Sequence, residues 1–322
     1  MSLDRLTIAS RPSTMALFQA RQVRDRLAHW YPDTDVTILP VSTEGDRWAG
    51  RLADLGGKGA FIKGVEHAIL NGSADLAVHC LKDMPADVPP TDGLTVVGYP
   101  ARDDVNDVMV TVDGTRMHQL LPDTRVGTSG PRRVAQLAAY NPALVAIPVR
   151  GNVDSRLRLL KDREIDTLIV ARCGLARLRS ADPRIGEGVV LETISTVRML
   201  PAVGAGLLAL QTRTDDEETI AAVMRLCDPH AAAEADAERT MLRALAGHCL
   251  APIAGHADVV IRGRELRLTG AVFSPDGKTR LESTLQGPSP EAVAAEWPPT
   301  SSPRVPAESW TTRADLRPCH TA

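Results

Sequence analysis

Short apolar runs alternate with amphipathic helical segments through the first two-thirds of the chain, and this alternation constrains the fold more than any other feature. Strand-like runs occupy residues 6–10, 35–41, 74–80 and 94–99. Residues 13–30 have apolar positions at helical spacing, and Ser13 is suited to cap that helix. Residues 58–72 form a second helical segment. The β-α-β order predicts a mostly parallel sheet covered by helices.

The same alternation is repeated in a second unit. This unit has strand-like runs at 107–112, 124–129, 144–150, 167–171 and 188–194. Two helical segments, 131–140 and 154–164, lie between them in the sequence. Residues 201–212 are predicted to be a glycine loop followed by one more strand. Two α/β units joined by crossing segments predict a cleft between domains, where ligands commonly bind.

The pattern changes after residue 213 and predicts a small α+β domain. Helical segments at 216–228 and 231–247 precede three strand-like runs, which begin at Ala257, Glu265 and Thr279. Turn sequences separate these runs, so we predict antiparallel hairpins. Beyond Gly287 the chain is rich in Pro and Ser and is predicted to be mostly a flexible tail.

Composition argues against several classes of protein. The 322 residues carry a net charge of −3 and only 3% aromatic residues, which disfavours a nucleic-acid partner. No apolar run approaches the ~20 residues that span a bilayer, and the N-terminus lacks a basic and apolar leader, so we predict a cytoplasmic protein with no membrane partner. Five widely spaced cysteines without a CxxC predict reduced thiols and no zinc site.

Arginines concentrate near the ends of the predicted strands, where α/β proteins bind ligands. They are Arg11, Arg132, Arg133, Arg150, Arg156 and Arg177. Pro131 fits the first turn of a helix, where two arginines oppose the helix dipole unless an anion offsets them. Guanidinium groups bind carboxylates by paired hydrogen bonds, and the sequence has no GxxxxGK[ST] phosphate loop, so the predicted ligand carries several carboxylates. The alternative is a set of solvated surface arginines.

Two short blocks and one thiol give weaker signals. Lys82 and Asp83 follow an apolar strand and present a cation and a carboxylate to one pocket, or they form a solvated pair in a loop. Lys58 lies in the glycine-rich GGKGAF, which is an anion cradle, a mobile lid or a plain connector. Cys249 is an isolated thiol in ALAGHCLAPIAG, and composition alone predicts only a buried cysteine without a function.

Taken in order, these motifs resemble the porphobilinogen deaminase (hydroxymethylbilane synthase) family. The matching blocks are IASRPSTMALFQA, TEGD, LGGKGAFIKGVE, ADLAVHCLKDMP, VGTSGPRR, VRGNVDSRL, GLARL, LPAVGAG and GHCLAPIA, and the resemblance as a whole covers roughly residues 3–285. The resemblance implies two periplasmic-binding-protein-like α/β domains with a cleft between them, plus a small α+β C-terminal domain with a three-stranded antiparallel sheet. The expected domains are 1–100 with 197–213, 101–196 and 214–287, followed by a tail at 288–322.

The resemblance also implies a transferase that acts as a monomer in tetrapyrrole and haem biosynthesis. Family members join four porphobilinogen molecules head to tail, release ammonia at each step and free linear hydroxymethylbilane by hydrolysis. The chain grows on a dipyrromethane primer held by a thioether to a cysteine, which is Cys249 here. Asp83 falls at the catalytic aspartate. The positions that bind cofactor or substrate, or assist chain growth, are Arg11, Ser13, Lys58, Lys82, Ser129, Arg132, Arg133, Arg150, Arg156 and Arg177.

The chemistry of porphobilinogen agrees with these roles. Each pyrrole carries an acetate and a propionate, so every added ring brings two negative charges to an arginine-lined cleft. Loss of ammonia leaves a cation near the pyrrole nitrogen, which the carboxylate of Asp83 can stabilise while it also transfers protons. A thiol is a strong nucleophile toward such a cation, and no metal is required.

The sequence departs from the family near these motifs. Gly130 and Pro131 replace the usual Ser and Leu, Ala205 replaces Gln, and His248 replaces the Gly that precedes Cys249. All the predicted Arg, Lys, Asp and Cys positions are retained, which favours an active enzyme. Two alternatives stay open: a non-catalytic protein that binds polycarboxylates, and a degenerate paralogue that binds porphobilinogen without turnover.

Overall fold

The computed structural model describes residues 4–48, 59–86, 88, 90–248, 251–260 and 265–294, which contain three sheets. The first sheet has the strand order β2-β1-β3-β10-β4 and consists of β1 (Arg5–Ser10), β2 (Asp35–Pro40), β3 (Leu76–Cys80), β4 (Leu94–Gly98) and β10 (Leu208–Arg213). The second has the order β7-β6-β8-β5-β9 and consists of β5 (Asp107–Thr111), β6 (Arg125–Gly127), β7 (Val145–Ile147), β8 (Thr167–Ala171) and β9 (Val190–Ile194).

In each of these two sheets, four strands run one way and one strand is reversed. β1 pairs in parallel with β2 and β3, whereas β10 is antiparallel to β3 and β4. β6 pairs in parallel with β7 and β8, whereas β5 is antiparallel to β8 and β9. The reversed strands are the ones that the chain enters after crossing between sheets, along residues 99–106 and 195–207. The predicted parallel direction is confirmed for four strands of each sheet, and β10 and β5 are the two exceptions.

Helices cover both sheets. α1 (Thr14–Trp30), α3 (Lys63–Leu70) and α7 (Glu217–Met224) pack on the first sheet, and α4 (Pro131–Tyr140), α5 (Val153–Lys161) and α6 (Arg172–Ala181) pack on the second. A single helical turn, α2 (Glu44–Arg47), follows β2. The Ser13 hydroxyl caps α1 by accepting from the Ala16 amide at 3.3 Å, and Pro131 begins α4, both as predicted. The helix predicted from residue 58 begins only at Lys63, because Gly59 has a φ of +81°.

The third unit is an antiparallel sheet of β11 (Ile253–Val260), β12 (Glu265–Phe273) and β13 (Arg280–Gly287). α8 (Pro229–Ala244) and α9 (Pro290–Ala294) pack on it, with Met241, Leu268 and Val293 in one core. α9 lies within residues 288–322, which the sequence predicts to be mostly a flexible tail, but Val293 and Ala294 of this helix are buried. The rest of that stretch, residues 295–322, lies outside the described residues. Among the residues that the structure describes, none of the helices has the length and apolarity that a bilayer span requires.

A glycine loop in the second crossing packs against the turn that follows β3. Gly204 and Gly206 have φ values of +75° and +80°, which favour glycine. A Cβ on Gly204 would lie 2.8 Å from the amide nitrogen of Lys82, and one on Gly206 would overlap the carbonyl oxygen of Asp103. The loop therefore brings the two crossing segments together beside Lys82.

Gly206→Ala is expected to lower the free energy of unfolding by about 3 kcal/mol, because its Cβ adds a backbone clash to the strain of a positive φ. Gly188→Ala is the matched control. Gly188 has a φ of +73°, but nothing lies within 4 Å of its Cβ position, so only the strain of about 1 kcal/mol remains. Urea unfolding measures both variants, and equal losses would contradict the packing of this loop.

Candidate active site

A cavity of about 190 Å³ lies where the two α/β units meet the third unit. Its wall comes from the turn after β3, the start of α4, the glycine loop and the segment that follows α8. Its charged or titratable side chains are those of Lys82, Asp83, Arg132, Arg133 and His248. Val203, Leu242 and Ile253 form an apolar part of the wall. Cations converging beside apolar surface suit an anionic ring compound.

Lys82 and Asp83 stand on a short 3₁₀ turn, Leu81–Asp83, that directly follows β3. The buried side chain of Leu81 anchors this turn, while the side chains of Lys82 and Asp83 stay exposed at the cavity. Arg239 of α8 donates to the carbonyl oxygen of Pro85 at 2.8 Å, which ties the next residues to the third unit. The fold therefore presents both side chains to the cavity from a turn fixed on two sides.

The arginines at the start of α4 share one carboxylate of the chain itself. Arg132 and Arg133 approach the two oxygens of Asp107 at 2.6 and 2.7 Å, and all three side chains are largely buried. Burial alone would raise the pKa of Asp107, but the two guanidinium groups outweigh burial and hold the pKa well below its usual value. Asp107 thus offsets the two cations at the helix N-terminus, a role that the sequence had left to a ligand.

Two further predicted arginines also bind carboxylates of the chain. Arg177 is buried and contacts Asp103 at 2.7 Å from Nη2. Arg11 forms an ion pair with Asp46, and its guanidinium lies 4.2 Å from the ring centre of Phe61. The structure therefore places Arg11 and Arg177 in internal ion pairs, and a ligand carboxylate would have to share or displace these partners.

Arg156 has a different electrostatic environment. Its Nε donates to the carbonyl oxygen of Gly151 at 2.9 Å, and its side chain is half-buried. Burial lowers the pKa of Arg156, and the nearby positive charge of Arg133 lowers it further. Both effects weaken the charged form relative to an ordinary arginine, so a nearby anion would stabilise the guanidinium. Arg150 lies exposed just beyond β7.

The two predicted hydroxyl groups bind the backbone in this structure. Ser13 caps α1. The Ser129 hydroxyl accepts from the Val149 amide at 2.9 Å and donates to the Val149 carbonyl oxygen. These bonds fix the loop between β6 and α4, so both serines shape the strand ends where the arginines lie.

A buried carboxylate joins the third unit to the glycine loop. Glu238 of α8 is fully buried and accepts from the amides of Gly204 at 2.6 Å and Ala257 at 2.8 Å. Arg102, in the first crossing, lies 2.7 Å from the same carboxylate. Burial would raise the pKa of Glu238, but Arg102, His256 and the Ala257 amide outweigh burial and lower it. Sequence reasoning missed Glu238 in α8, Asp107 in β5 and Asp103 in the first crossing, since an isolated acidic residue carries no local signal of the arginine that it will contact.

Two predicted site residues, Cys249 and Lys58, lie outside the described residues. His248, which precedes Cys249, lines the cavity. The described cysteines Cys80, Cys173 and Cys227 are free thiols. Burial raises the pKa of Cys80, whose sulfur accepts from Gln19 at 3.2 Å, and a buried neutral thiol is a poor nucleophile.

The cavity fits a pyrrole-based cofactor with several carboxylates. Lys82, Arg132 and Arg133 line it with positive charge, which Asp107 offsets in part. The apolar wall formed by Val203, Leu242 and Ile253 can pack against pyrrole rings. This set of side chains, in a two-sheet α/β protein, is suited to a ligand that carries several carboxylates.

Comparison with known proteins narrows this class. Residues 6–221 match the family model described as porphobilinogen deaminase, dipyromethane cofactor binding domain, and residues 232–296 match the porphobilinogen deaminase C-terminal domain. The chain belongs to the porphobilinogen deaminase family, whose bound cofactor is dipyrromethane, as the sequence motifs predicted.

The similarity extends over nearly the whole chain. Porphobilinogen deaminase 2 of Streptomyces coelicolor is 49% identical over 280 residues, which are 87% of this chain and 87% of that protein. The porphobilinogen deaminase of Macrococcus caseolyticus is 37% identical over 91% of this chain and 93% of its own length. Among solved structures, the methionine binding protein MetQ covers 69% of this chain and 89% of its own, with 10% identity and a TM-score of 0.41.

Proposed function

We propose that this protein is a hydroxymethylbilane synthase, a transferase that condenses four porphobilinogen molecules head to tail. Each condensation breaks the carbon–nitrogen bond of the protonated aminomethyl group and a C–H bond of the pyrrole that it joins, forms a carbon–carbon bond to the growing chain, and releases ammonia and one proton. Hydrolysis then frees linear hydroxymethylbilane for tetrapyrrole and haem biosynthesis. The observation that carries the proposal is the exposed Asp83 beside Lys82, Arg132 and Arg133 in one cavity of a chain of this family.

In this proposal the arginines bind and orient the carboxylates of the substrate and of the chain. Arg156 is proposed to bind one of these carboxylates, because a ligand anion would offset its repulsion by Arg133. Arg132 and Arg133 keep their Asp107 partner and still present positive charge at the cavity wall. Arg11, Arg150 and Arg177 extend this binding surface. Ser13 and Ser129 hold the loops on which these arginines stand.

Asp83 is the proposed catalytic residue. When ammonia leaves, positive charge develops near the pyrrole nitrogen of the substrate, and a fixed carboxylate beside that N–H stabilises it. The same carboxylate can accept the proton that the new ring loses after carbon–carbon bond formation. Lys82, its neighbour on the turn, provides a cation for a substrate carboxylate.

The cofactor is proposed to be dipyrromethane attached by a thioether to Cys249, and when bound it supplies the pyrrole carbon to which the first substrate is joined. Lys82, Arg132, Arg133 and Arg156 would hold its carboxylates. Lys58 is proposed to contact the ligand from its glycine-rich segment. A monomeric state and a cytoplasmic location are further proposals, taken from the resemblance and the sequence.

Incubation of the purified protein with porphobilinogen tests the proposed function. We expect ammonia release in step with porphobilinogen consumption, and a product that cyclises and oxidises to a porphyrin. Binding of porphobilinogen without ammonia release would overturn the enzyme and support a degenerate paralogue. Absence of both binding and turnover would overturn any role in porphobilinogen chemistry.

A further inference from the structure

The carboxylate of Asp83, the proposed catalytic residue, takes its position from the backbone alone. In the described part of the chain this side chain has no hydrogen-bond or ion-pair partner, and it is exposed at the cavity. A group that stabilises developing charge acts best when it is already in place, because a mobile group must be reorganised at a cost in free energy. Whatever fixes the 3₁₀ turn Leu81–Asp83 therefore also fixes the carboxylate.

One face of α8 packs along this turn. Ala231 and Ala235 lie in one buried cluster with Leu81, and Met84 packs against that cluster. Arg239 follows the two alanines at the same spacing of four residues, which places it on the same face of the helix. The small alanine side chains allow the helix to approach the turn, and the longer arginine reaches the residues that follow it.

The guanidinium of Arg239 binds the backbone directly after Asp83. Its Nη2 donates to the Pro85 carbonyl oxygen at 2.8 Å, and its Nη1 donates to the Met84 carbonyl oxygen at 3.4 Å. Among the residues that the structure describes, no carboxylate forms an ion pair with this guanidinium. Burial lowers the pKa of Arg239, but an arginine stays charged near neutral pH, so both hydrogen bonds come from a cation.

The helix that carries this guanidinium is itself fixed on two sides. Met241 of α8 lies in the same core as Leu268 of β12. Glu238 accepts from the Gly204 amide at 2.6 Å, and a Cβ on Gly204 would lie 2.8 Å from the amide nitrogen of Lys82. α8 and the glycine loop therefore hold the turn between them, and the hydrogen bonds to its C-terminal end come from a rigid support.

We propose that Arg239 is a positioning residue for the reaction in this cavity. Through the carbonyl oxygens of Met84 and Pro85, it holds the turn so that the Asp83 carboxylate stays where charge develops on the substrate. The proposal rests on the proposed function, which gives Asp83 its catalytic role. Arg239 is not among the residues that line the cavity, so its loss affects the chemical step more than the binding of porphobilinogen.

Steady-state kinetics test this role. Arg239→Met keeps the length of the side chain but has no donor, and its kcat for porphobilinogen is expected to fall about tenfold, with a change in KM below about twofold. Arg239→Lys keeps a charged donor and is expected to recover part of kcat. The matched control is Arg243→Met, which removes an exposed arginine one turn further along α8, bonded to Thr240, and is expected to keep both wild-type constants.

Amide hydrogen exchange without substrate separates this proposal from the proposed function. The Leu81 amide donates to the Leu207 carbonyl oxygen and the Met84 amide to that of Leu81, each at 3.0 Å, so their exchange reports on the turn. In Arg239→Met their exchange is expected to be about tenfold faster, with that of β12 unchanged.

If the wild-type protein releases no ammonia, the proposed function fails, and the exchange still decides whether Arg239 holds the turn. Wild-type exchange or wild-type kcat in Arg239→Met overturns the proposal. Faster exchange shared equally by β12 also overturns it, because that result is a general loss of stability.

Discussion

Asp83→Asn is expected to lower kcat for porphobilinogen by roughly three orders of magnitude, because it removes the negative charge that stabilises the developing cation and the group that takes the proton. Asparagine retains the size of the side chain on its exposed turn, so the structure should be preserved. Substrate binding, which depends on the surrounding cations, is expected to change far less than kcat. Ammonia release under single-turnover and steady-state conditions measures the effect.

The control for this variant is Asp92→Asn, which removes an exposed carboxylate that is not among the residues lining the cavity. Its kcat is expected to match that of the wild type. If Asp83→Asn turned over porphobilinogen at a rate near that of the wild type, Asp83 would lose its central role. The cationic cavity would then serve binding alone.

Asp107→Asn is expected to lower the free energy of unfolding by about 3–5 kcal/mol, because it leaves the buried Arg132 and Arg133 facing each other without their shared negative charge. The matched control is Asp258→Asn, which breaks a solvent-exposed cross-strand pair with Arg267. The loss there is expected to stay below about 1 kcal/mol. Urea unfolding of both variants at pH 7 measures the difference, and equal losses of stability would refute a stabilising role for the buried carboxylate of Asp107.

The pH dependence of the Asp107 effect has a definite sign. The pKa of Asp107 is depressed in the folded protein, whereas an unfolded aspartate has a pKa near 3.9. The stability that Asp107 contributes is therefore fully present above about pH 4 and is lost as the pH falls toward the folded pKa. Wild type and Asp107→Asn are expected to converge in stability only below about pH 4.

The sequence pattern predicted the fold class and most elements, because those depend on local periodicity and end signals. Ser13 and Pro131 mark helix starts by local chemistry, and both predictions are confirmed. The reversal of β5 and β10 depends on how the chain crosses between sheets, which apolar runs alone do not specify. The sequence indicated α9 only as the stretch PEAVAAEW, a shortened form of the C-terminal helix that the family resemblance implies, because few apolar residues distinguish it from the polar segment around it.

The sequence predicted which types of residue line the site, but it predicted only some of the contacts that these residues make. Motif resemblance selected the arginines, and the cavity brings Lys82, Asp83, Arg132 and Arg133 together. Their internal partners were missed, because Asp107 comes into contact with α4 only through the packing of separate elements. A guanidinium at a strand end therefore indicates an anion without telling whether that anion belongs to the chain or to a ligand.

The account also depends on how the cavity holds the cofactor. The apolar wall and the surrounding cations suit a two-ring polycarboxylate, and the chain's family defines that group as dipyrromethane. Its attachment at Cys249 is a proposal from the motif GHCLAPIA. His248 precedes that cysteine in the sequence and lines the cavity.

The central claim is tested most directly by intact-protein mass spectrometry with peptide mapping after expression with ample porphobilinogen, with Ehrlich's reagent applied to a separate sample. The account predicts that the untreated protein has a mass excess of one dipyrromethane unit that maps to Cys249, and that the sample given the reagent becomes coloured. In Cys249→Ser, both the colour and the excess should be absent, with Cys227→Ser as the control that retains them. An unmodified Cys249 in the wild-type protein under these conditions would contradict the account.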